Sequence, residues 1–416
     1  MEQDYKKAFF PRDRLSMGVR FRILISLLIA VLLSTGLYAR TSTRSTKTVK
    51  RDGSVTEAPR AKKRMARLHH ARRAKNIRLK RRHRYIERFY TSSYASDITD
   101  GDLAAGEDQV VRQAAIDALG DMNGTLVAID PTSGRILTMV NQKLALSEGA
   151  QPCSTIKLAV ALAALSEKII SRDTEVALSS RTQMTLTEAL ATSNNAFFEA
   201  LGRRLGFQRV SYYAHQYGLG ELAGFDIEGE HLGVFPAHVL DADHGGVGKM
   251  CSFGESISMT PLQLGALVSA IANGGTLYYL QHPNSPEEAL DFQPKIKRQL
   301  DIGPLIPDMT DGMMGAVVYG TARSLRTNFI EEQILGKTGT CSKDGTRFGW
   351  FASYANTQYG HIVAVVFLRG GRPTYGPKAA EISGKFYRNL YDHNFFTQPA
   401  TAASKAGEKA TVGAQQ

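Results

Sequence analysis

The order of elements along the chain predicts an α+β fold: an antiparallel sheet flanked by helices, with a helical subdomain between its strands. Three observations carry this. A strand pair opens the body, Gly124–Asp130 and Arg135–Asn141, split by the turn Pro131-Thr132-Ser133-Gly134. A helical middle follows. Three consecutive strands, Ile334–Thr340, Phe348–Tyr354 and Ile362–Arg369, then close the body before an amphipathic helix over Lys378–Tyr391. Strands at both ends that enclose helices build one sheet from the two termini of the domain.

The middle holds three expected helices. Thr155–Ile170 is rich in Ala and Leu and therefore buried. Thr187–Leu205 stops at Gly206. Pro261–Asn273 starts on a proline suited to a first turn and ends at Gly274-Gly275.

The chain has 416 residues, 43% hydrophobic and 22% charged. That excludes wholesale disorder, collagen and multi-span membrane classes. The net charge of +12 is uneven. Residues 1–90 hold 25 Lys/Arg against 6 Asp/Glu, or +19; residues 91–416 hold 26 against 33, or −7. A nucleic-acid-binding core is excluded, because its positive patch would lie in the folded part. Three cysteines exclude a disulfide-dense scaffold and a four-cysteine zinc site.

Ile23 to Ala39 is uncharged over 17 residues, with Arg20 and Arg22 before it. A spanning helix needs about 20 residues, with a lower limit near 17. One reading is a single membrane anchor. The other is a cleaved signal peptide with Ser34-Thr35-Gly36 as its small-residue site. Both place the body outside the cytoplasm. The flanks carry six and five Lys/Arg (residues 1–22 and 40–58), so the positive-inside rule is nearly silent. The expected plan is a cytoplasmic segment 1–22, an anchor 23–39, a basic disordered stem 40–120, a body 121–395 and a disordered tail 396–416. Residues 60–88 are heavily basic: a solvated linker, or an arm for anionic headgroups or an anionic wall polymer.

Chemistry gathers in three short motifs. Ser154 lies at a helix start, and Lys157 follows at i+3 on the same face. A serine hydroxyl is a poor nucleophile until a base takes its proton. A lysine desolvated by an apolar helix can lose its charge and serve as that base. The helix start also offers N–H groups to an oxyanion. The second motif, Ser193-Asn194-Asn195, is expected inside the second helix. There Ser193 can relay a proton, and Asn195 can hold a peptide backbone. The third, Lys337-Thr338-Gly339-Thr340, falls on a strand. Lys337 brings positive charge, Thr338 and Thr340 bring hydroxyls for a carboxylate, and Gly339 admits a close substrate backbone. Each motif alone is weak; in this order, on helix, helix and strand, they are the signature of serine enzymes that recognise penicillin.

The sequence resembles the transpeptidase domain of penicillin-binding proteins from about Gly124 to Tyr391. LVAIDPTSGRILTMV (126–140) is similar to the family's opening hairpin, and GFDIEGE (224–230) to its acidic loop. SFGESISMTPLQLGALVSAIANGGTLY (252–278), GTARSL (320–325) and GWFASYA (349–355) also match. The resemblance implies a single-pass protein of the bacterial inner membrane with its catalytic domain on the outer side. It implies acyl transfer on D-Ala-D-Ala stem peptides of peptidoglycan. Ser154 would be the nucleophile, Lys157 the base and Ser193 the proton relay. Lys337 and the two threonines would hold the carboxylate. The backbone N–H groups of Ser154 and Thr340 would form the oxyanion hole. Implied partners are stem peptides, β-lactams, the membrane and other wall-synthesis membrane proteins, with no nucleic acid.

Two departures stand out. Residues 40–120 contain nothing like the family's pedestal or glycosyltransferase domains. Cys153 stands before the nucleophile, where the family often has glycine, and Cys341 follows Thr340. The same pair is bridged in carbapenem-hydrolysing class A β-lactamases, and the resemblance implies a Cys153–Cys341 disulfide. Cys251 would remain a buried thiol. That pair keeps a β-lactamase alternative in view. Its deacylating base would be a glutamate, and Glu228 and Glu230 are the weak candidates. D,D-carboxypeptidase activity and a non-catalytic penicillin sensor or scaffold are further alternatives. His215, His231, His238 and His244 match no metal-ligand spacing, and Asp241 and Asp243 read as loop. No metal or cofactor is expected.

Overall fold

The computed structural model describes residues 87–357 and 360–396. The anchor, the basic run through residue 86 and the tail from residue 397 lie outside the described residues. Among the described residues no helix is long and apolar enough to cross a membrane.

Helix α1 (Gln109–Leu119) precedes the hairpin of β1 (Gly124–Asp130) and β2 (Arg135–Val140), and the short α2 (Gln142–Ala145) follows. A 3-10 turn, Cys153–Ile156, runs straight into α3 (Lys157–Ser166). The helical middle holds β3 (Val176–Ser179), β4 (Thr182–Met184), α4 (Leu186–Thr192), α5 (Asn195–Gln216), α6 (Gly246–Phe253) and α7 (Pro261–Ala272). It continues with β5 (Thr276–Tyr278), α8 (Pro286–Leu290), β6 (Ile296–Gln299) and α9 (Ile306–Val318). The chain closes with β7 (Ile334–Lys343), β8 (Thr346–Thr357), β9 (Gly360–Gly370) and α10 (Gly376–Asp392).

Five strands form one antiparallel sheet in the order β2-β1-β9-β8-β7. The two ends of the domain meet where β1 pairs β9, with Val127 opposite Val365. This is the expected architecture. Alternation along the strands splits the core in two. Val127, Ile129, Trp350, Ala352, Val363 and Val365 pack with α3 and α7. Leu126, Ala128, Phe351, Ala364 and Val366 pack with α1 and α10. Both faces are covered, so β9 reads as an unbroken apolar run instead of an alternating one. Helix α7 starts where expected, on Pro261, because Thr260 and Gln263 form a reciprocal capping box there.

Three boundaries differ from expectation. Residues 91–120 are not a continuation of the stem. Asp108 caps α1, and Val111, Ala114, Ala115, Ala118 and Leu119 bury its apolar stripe. Polar flanks hid this stripe in the sequence. Ahead of α1 the chain is strapped to the sheet. Tyr90 N donates to Gly345 O at 2.9 Å, Thr91 and Thr346 hydroxyls meet at 2.7 Å, and Gly371 N donates to Ser93 Oγ at 2.9 Å. Glu107, fully buried, accepts from Arg112 (2.8 Å), Thr138 (2.6 Å) and Met139 N (2.9 Å). Second, the expected helix Thr187–Leu205 is two helices, α4 and α5, with a break at Ser193-Asn194. Gly206 does break α5, at φ 73°, but a further helical stretch continues to Gln216. Third, α3 ends at Ser166, short of Ile170.

Candidate active site

The nucleophile turn is built by packing. Helix α3, KLAVALAALS, is buried over its first nine residues, from Lys157 to Leu165. Its start, Pro152–Ile156, is pressed against β7. A Cβ on Gly339 would stand 2.8 Å from Pro152 O and 3.2 Å from the Thr155 methyl. Gly339 therefore serves the approach of the nucleophile turn to the strand. The substrate-approach role expected for it has no space on that side. The disulfide Cys153–Cys341 joins the same two elements, with Cα atoms 5.6 Å apart. Cys153 sits at φ 52°, a left-handed conformation that glycine adopts without cost. Gln151 O accepts from Trp350 Nε1 at 3.0 Å and fixes the segment from below. Cys251 is a buried free thiol, pushed up to about 12 by burial.

The second motif occupies the break between α4 and α5. Ser193 adopts φ 56°, ψ 44°, and so turns its carbonyl and hydroxyl toward α3. Asn194 is extended and caps α5 through Phe197 N. An uninterrupted helix would have consumed the Ser193 carbonyl in its own ladder.

Five polar motif side chains converge. Lys157 Nζ lies 3.0 Å from Ser154 Oγ, 2.7 Å from Ser193 O, 2.7 Å from Asn195 Oδ1 and 3.1 Å from Ser193 Oγ. Lys337 Nζ donates to Ser193 Oγ at 2.8 Å and to Thr338 O at 3.1 Å. Both lysines are fully buried. Burial, with repulsion from Lys337, brings the Lys157 amine down to about 6; the charge of Glu199 opposes this. Burial alone brings Lys337 to about 7. At neutral pH Lys157 is an uncharged amine with two N–H donors and one lone pair. Two short acceptors, Ser193 O and Asn195 Oδ1, take the donors. The lone pair is left for the Ser154 hydroxyl.

Thr338, Thr340, Ser154, Ser193 and Asn195 line one open cleft of about 960 Å³. Lys337 lies beneath its floor. The Thr338 hydroxyl meets Thr321 Oγ1 at 2.6 Å, and Thr340 Oγ1 accepts from Gly376 N at 2.7 Å. Strand β7 is an edge of the sheet, so one side of its backbone remains open along the cleft.

Several residues here were missed by the sequence reading. Thr321, Arg323, Arg326 and Tyr375 line the cleft. Glu199 lies one turn beyond Asn195; its i+4 spacing was an available signal. Glu228 and Glu230 do not line the cleft. Glu230 closes its own loop by accepting from Ala223 N and Gly224 N, both at 2.9 Å. Among the described residues no group of three His, Cys, Asp or Glu is arranged to hold a metal.

A serine, a neutral lysine, a second serine and a buried cationic strand around one cleft define the penicillin-recognising class. The chain belongs to the penicillin-binding protein transpeptidase domain family, which matches residues 124–392. It is 33% identical over 168 residues to stage V sporulation protein D of Bacillus subtilis, covering 38% of this chain and 25% of that protein. It is 23% identical over 335 residues to the peptidoglycan D,D-transpeptidase PbpA of Mycolicibacterium smegmatis, covering 63% and 66%. The match thus spans from a quarter to just under two thirds of these relatives. The transpeptidase domain of Burkholderia pseudomallei penicillin-binding protein 3 superposes with a TM-score of 0.59 at 18% identity, over 71% of this chain and 96% of that one. That likeness concerns the fold alone.

Proposed function

We propose that this protein is a membrane-anchored peptidoglycan D,D-transpeptidase that crosslinks D-Ala-D-Ala stem peptides through an acyl-Ser154 intermediate. The observation that carries the reading is the placement of Lys157 Nζ, 2.7 Å from both Ser193 O and Asn195 Oδ1 and 3.0 Å from Ser154 Oγ. Neutral Lys157 takes the Ser154 proton as Oγ attacks the penultimate carbonyl. The backbone N–H groups of Ser154 and Thr340 receive the oxyanion. The proton passes from Lys157 to Ser193 Oγ and on to the departing D-alanine nitrogen. Lys337, Thr338 and Thr340 hold the carboxylate beside the broken bond. The open edge of β7 suits an extended peptide laid along it. The apolar run Ile23–Ala39 supports a single membrane anchor with the body outside the cytoplasm.

One observation separates this from a β-lactamase. Among the described residues no Asp or Glu lines the cleft, so none there stands ready to activate water against the acyl ester. The acyl-enzyme is therefore long-lived unless an amine arrives. The direct test is incubation of the full-length protein with a D-Ala-D-Ala-terminated stem peptide and an amine acceptor. Release of one D-alanine per new amide bond supports the reading. A folded protein that releases no D-alanine contradicts it.

A further inference from the structure

Beyond the three motifs, the cleft has a wall with no assigned role. Gly320–Thr327 runs from α9 into a 3-10 turn, Arg323–Thr327. Its Thr321 hydroxyl touches Thr338 at 2.6 Å, so this wall continues directly from the carboxylate-holding strand. Arg323 and Arg326 both line the cleft and are exposed to it. Neither guanidinium has a carboxylate partner among the described residues. Among the described residues lining this side of the cleft there is no acid, and the charged side chains are Arg323 and Arg326.

Reaction chemistry says what arrives there. An acceptor nitrogen must approach the acyl carbon along the path by which the leaving nitrogen departed, because the forward and reverse transfers share one route. The leaving D-alanine sits on the side of Thr338 and Thr340. The acceptor strand therefore enters on that side, against Thr321, Arg323 and Arg326. An acceptor stem ending in D-Ala-D-Ala carries its own carboxylate, farther from its amine than the carboxylate of the departing residue.

We propose that Arg323 and Arg326 are specificity-determining residues for the acceptor: they bind the distant carboxylate of the incoming amine strand and so favour transfer to a peptide over hydrolysis. This rests on the transpeptidase reading. In the step they serve, the acceptor nitrogen attacks the carbonyl of acyl-Ser154 and the C–N bond forms. The C–Oγ bond breaks, and the nitrogen's proton returns to Oγ through Ser193 and Lys157. The guanidinium groups take no part in bond exchange. They hold the strand by charge-assisted bonds, for which the arginine fork is suited.

The test is partition of the acyl-enzyme. Full-length protein is acylated by a D-alanyl thiolester, and the ratio of amide to acid product is measured with four acceptors: glycine, glycinamide, triglycine and triglycinamide. The triglycine carboxylate lies about 7 Å farther from its amine than that of glycine. Wild type should prefer triglycine over its amide. In the Arg323→Gln/Arg326→Gln variant that preference should fall about fivefold or more, the scale of one charge-assisted bond. The glycine preference should be unchanged. The Arg323→Lys/Arg326→Lys variant should recover part of the loss. Acylation by penicillin should stay within about twofold of wild type, the margin of a remote charge screened by water. An unchanged triglycine preference in the Gln variant would overturn the proposal. So would slowed acylation, which would assign the arginines to the donor. A wild-type protein that neither thiolester nor penicillin acylates would sink the transpeptidase reading itself, and this proposal with it.

Discussion

Lys157 and Lys337 flank one hydroxyl: Ser193 Oγ stands 3.1 Å from the first amine nitrogen and 2.8 Å from the second. Two buried ammonium groups cannot both stay charged at this separation. The arrangement therefore divides their work. Lys157, brought to about 6, acts uncharged, and Lys337, at about 7, supplies the positive charge.

The first prediction is a narrow bell in the pH dependence of acylation. Below about 6 Lys157 gains a proton and cannot accept one from Ser154. Above about 7 the free enzyme loses the Lys337 charge that draws the carboxylate. Stopped-flow acylation by a chromogenic cephalosporin reads both limbs. Lys337→Met should abolish the alkaline limb along with most of the rate. A flat profile between pH 5 and 9 would contradict this division of roles.

The same burial has a cost to stability. The folded-state value of Lys157 lies below the unfolded value, so between about 6 and 10.5 the unfolded chain binds a proton that the native protein does not. Stability contributed by this site therefore rises with pH through that window and is lowest below about 6. Lys157→Met should remove this residue's share and leave that of Lys337, which acts between about 7 and 10.5. At pH 6 the gain expected is about 1–4 kcal/mol, read as roughly 2–4 °C of Tm per kcal/mol. At pH 10 most of it should vanish. Differential scanning calorimetry at the two pH values decides the matter.

The disulfide closes a separation of 188 residues between the nucleophile turn and β7. Chain-entropy reasoning gives a bridge over so long a loop about 5 kcal/mol at most. Cys153→Ser/Cys341→Ser should lower Tm and slow acylation together, because the bridge pins both sides of the oxyanion site. If Tm falls while the acylation rate stays the same, the bridge supports the fold alone.

The strap ahead of α1 predicts a remote effect on the cleft. Ser93 Oγ accepts from Gly371 N at 2.9 Å and from the Thr374 hydroxyl at 3.1 Å, and both precede Tyr375 of the cleft wall. The Arg347 guanidinium lies 5.9 Å from the Phe89 ring on one side and 5.9 Å from the Tyr375 ring on the other. Ser93→Ala strands a buried N–H and should cost about 1–3 kcal/mol. It should also reduce acylation several-fold through Tyr375. Urea titration with parallel penicillin labelling measures both.

Much of this was legible in the sequence, for physical reasons. The sheet was readable because β9 is so apolar that only a twice-covered strand fits. Ser154 and Lys157 were readable because i+3 spacing puts them on one face whatever surrounds them. Ser193 was placed wrongly, in mid-helix. Nothing in ATSNNAFF shows that Ser193 takes a left-handed conformation and frees its carbonyl for Lys157. Residues 91–120 were misread because the stripe of α1 is made largely of alanine, which signals weakly between polar flanks. The packing role of Gly339 was not legible, because the nearness of Pro152 arises only in the folded packing. Arg323 lies in the family-like GTARSL (320–325) and Arg326 just beyond it, but only the Thr321–Thr338 contact shows that their turn reaches the cleft.

The central claim is tested most directly by fluorescent penicillin labelling of the full-length protein, wild type against Ser154→Ala, with the adduct followed over time. The account predicts a stoichiometric adduct on wild type that persists for many minutes, and none on the variant. An adduct that forms and is lost within seconds, or one that survives Ser154→Ala, would contradict it.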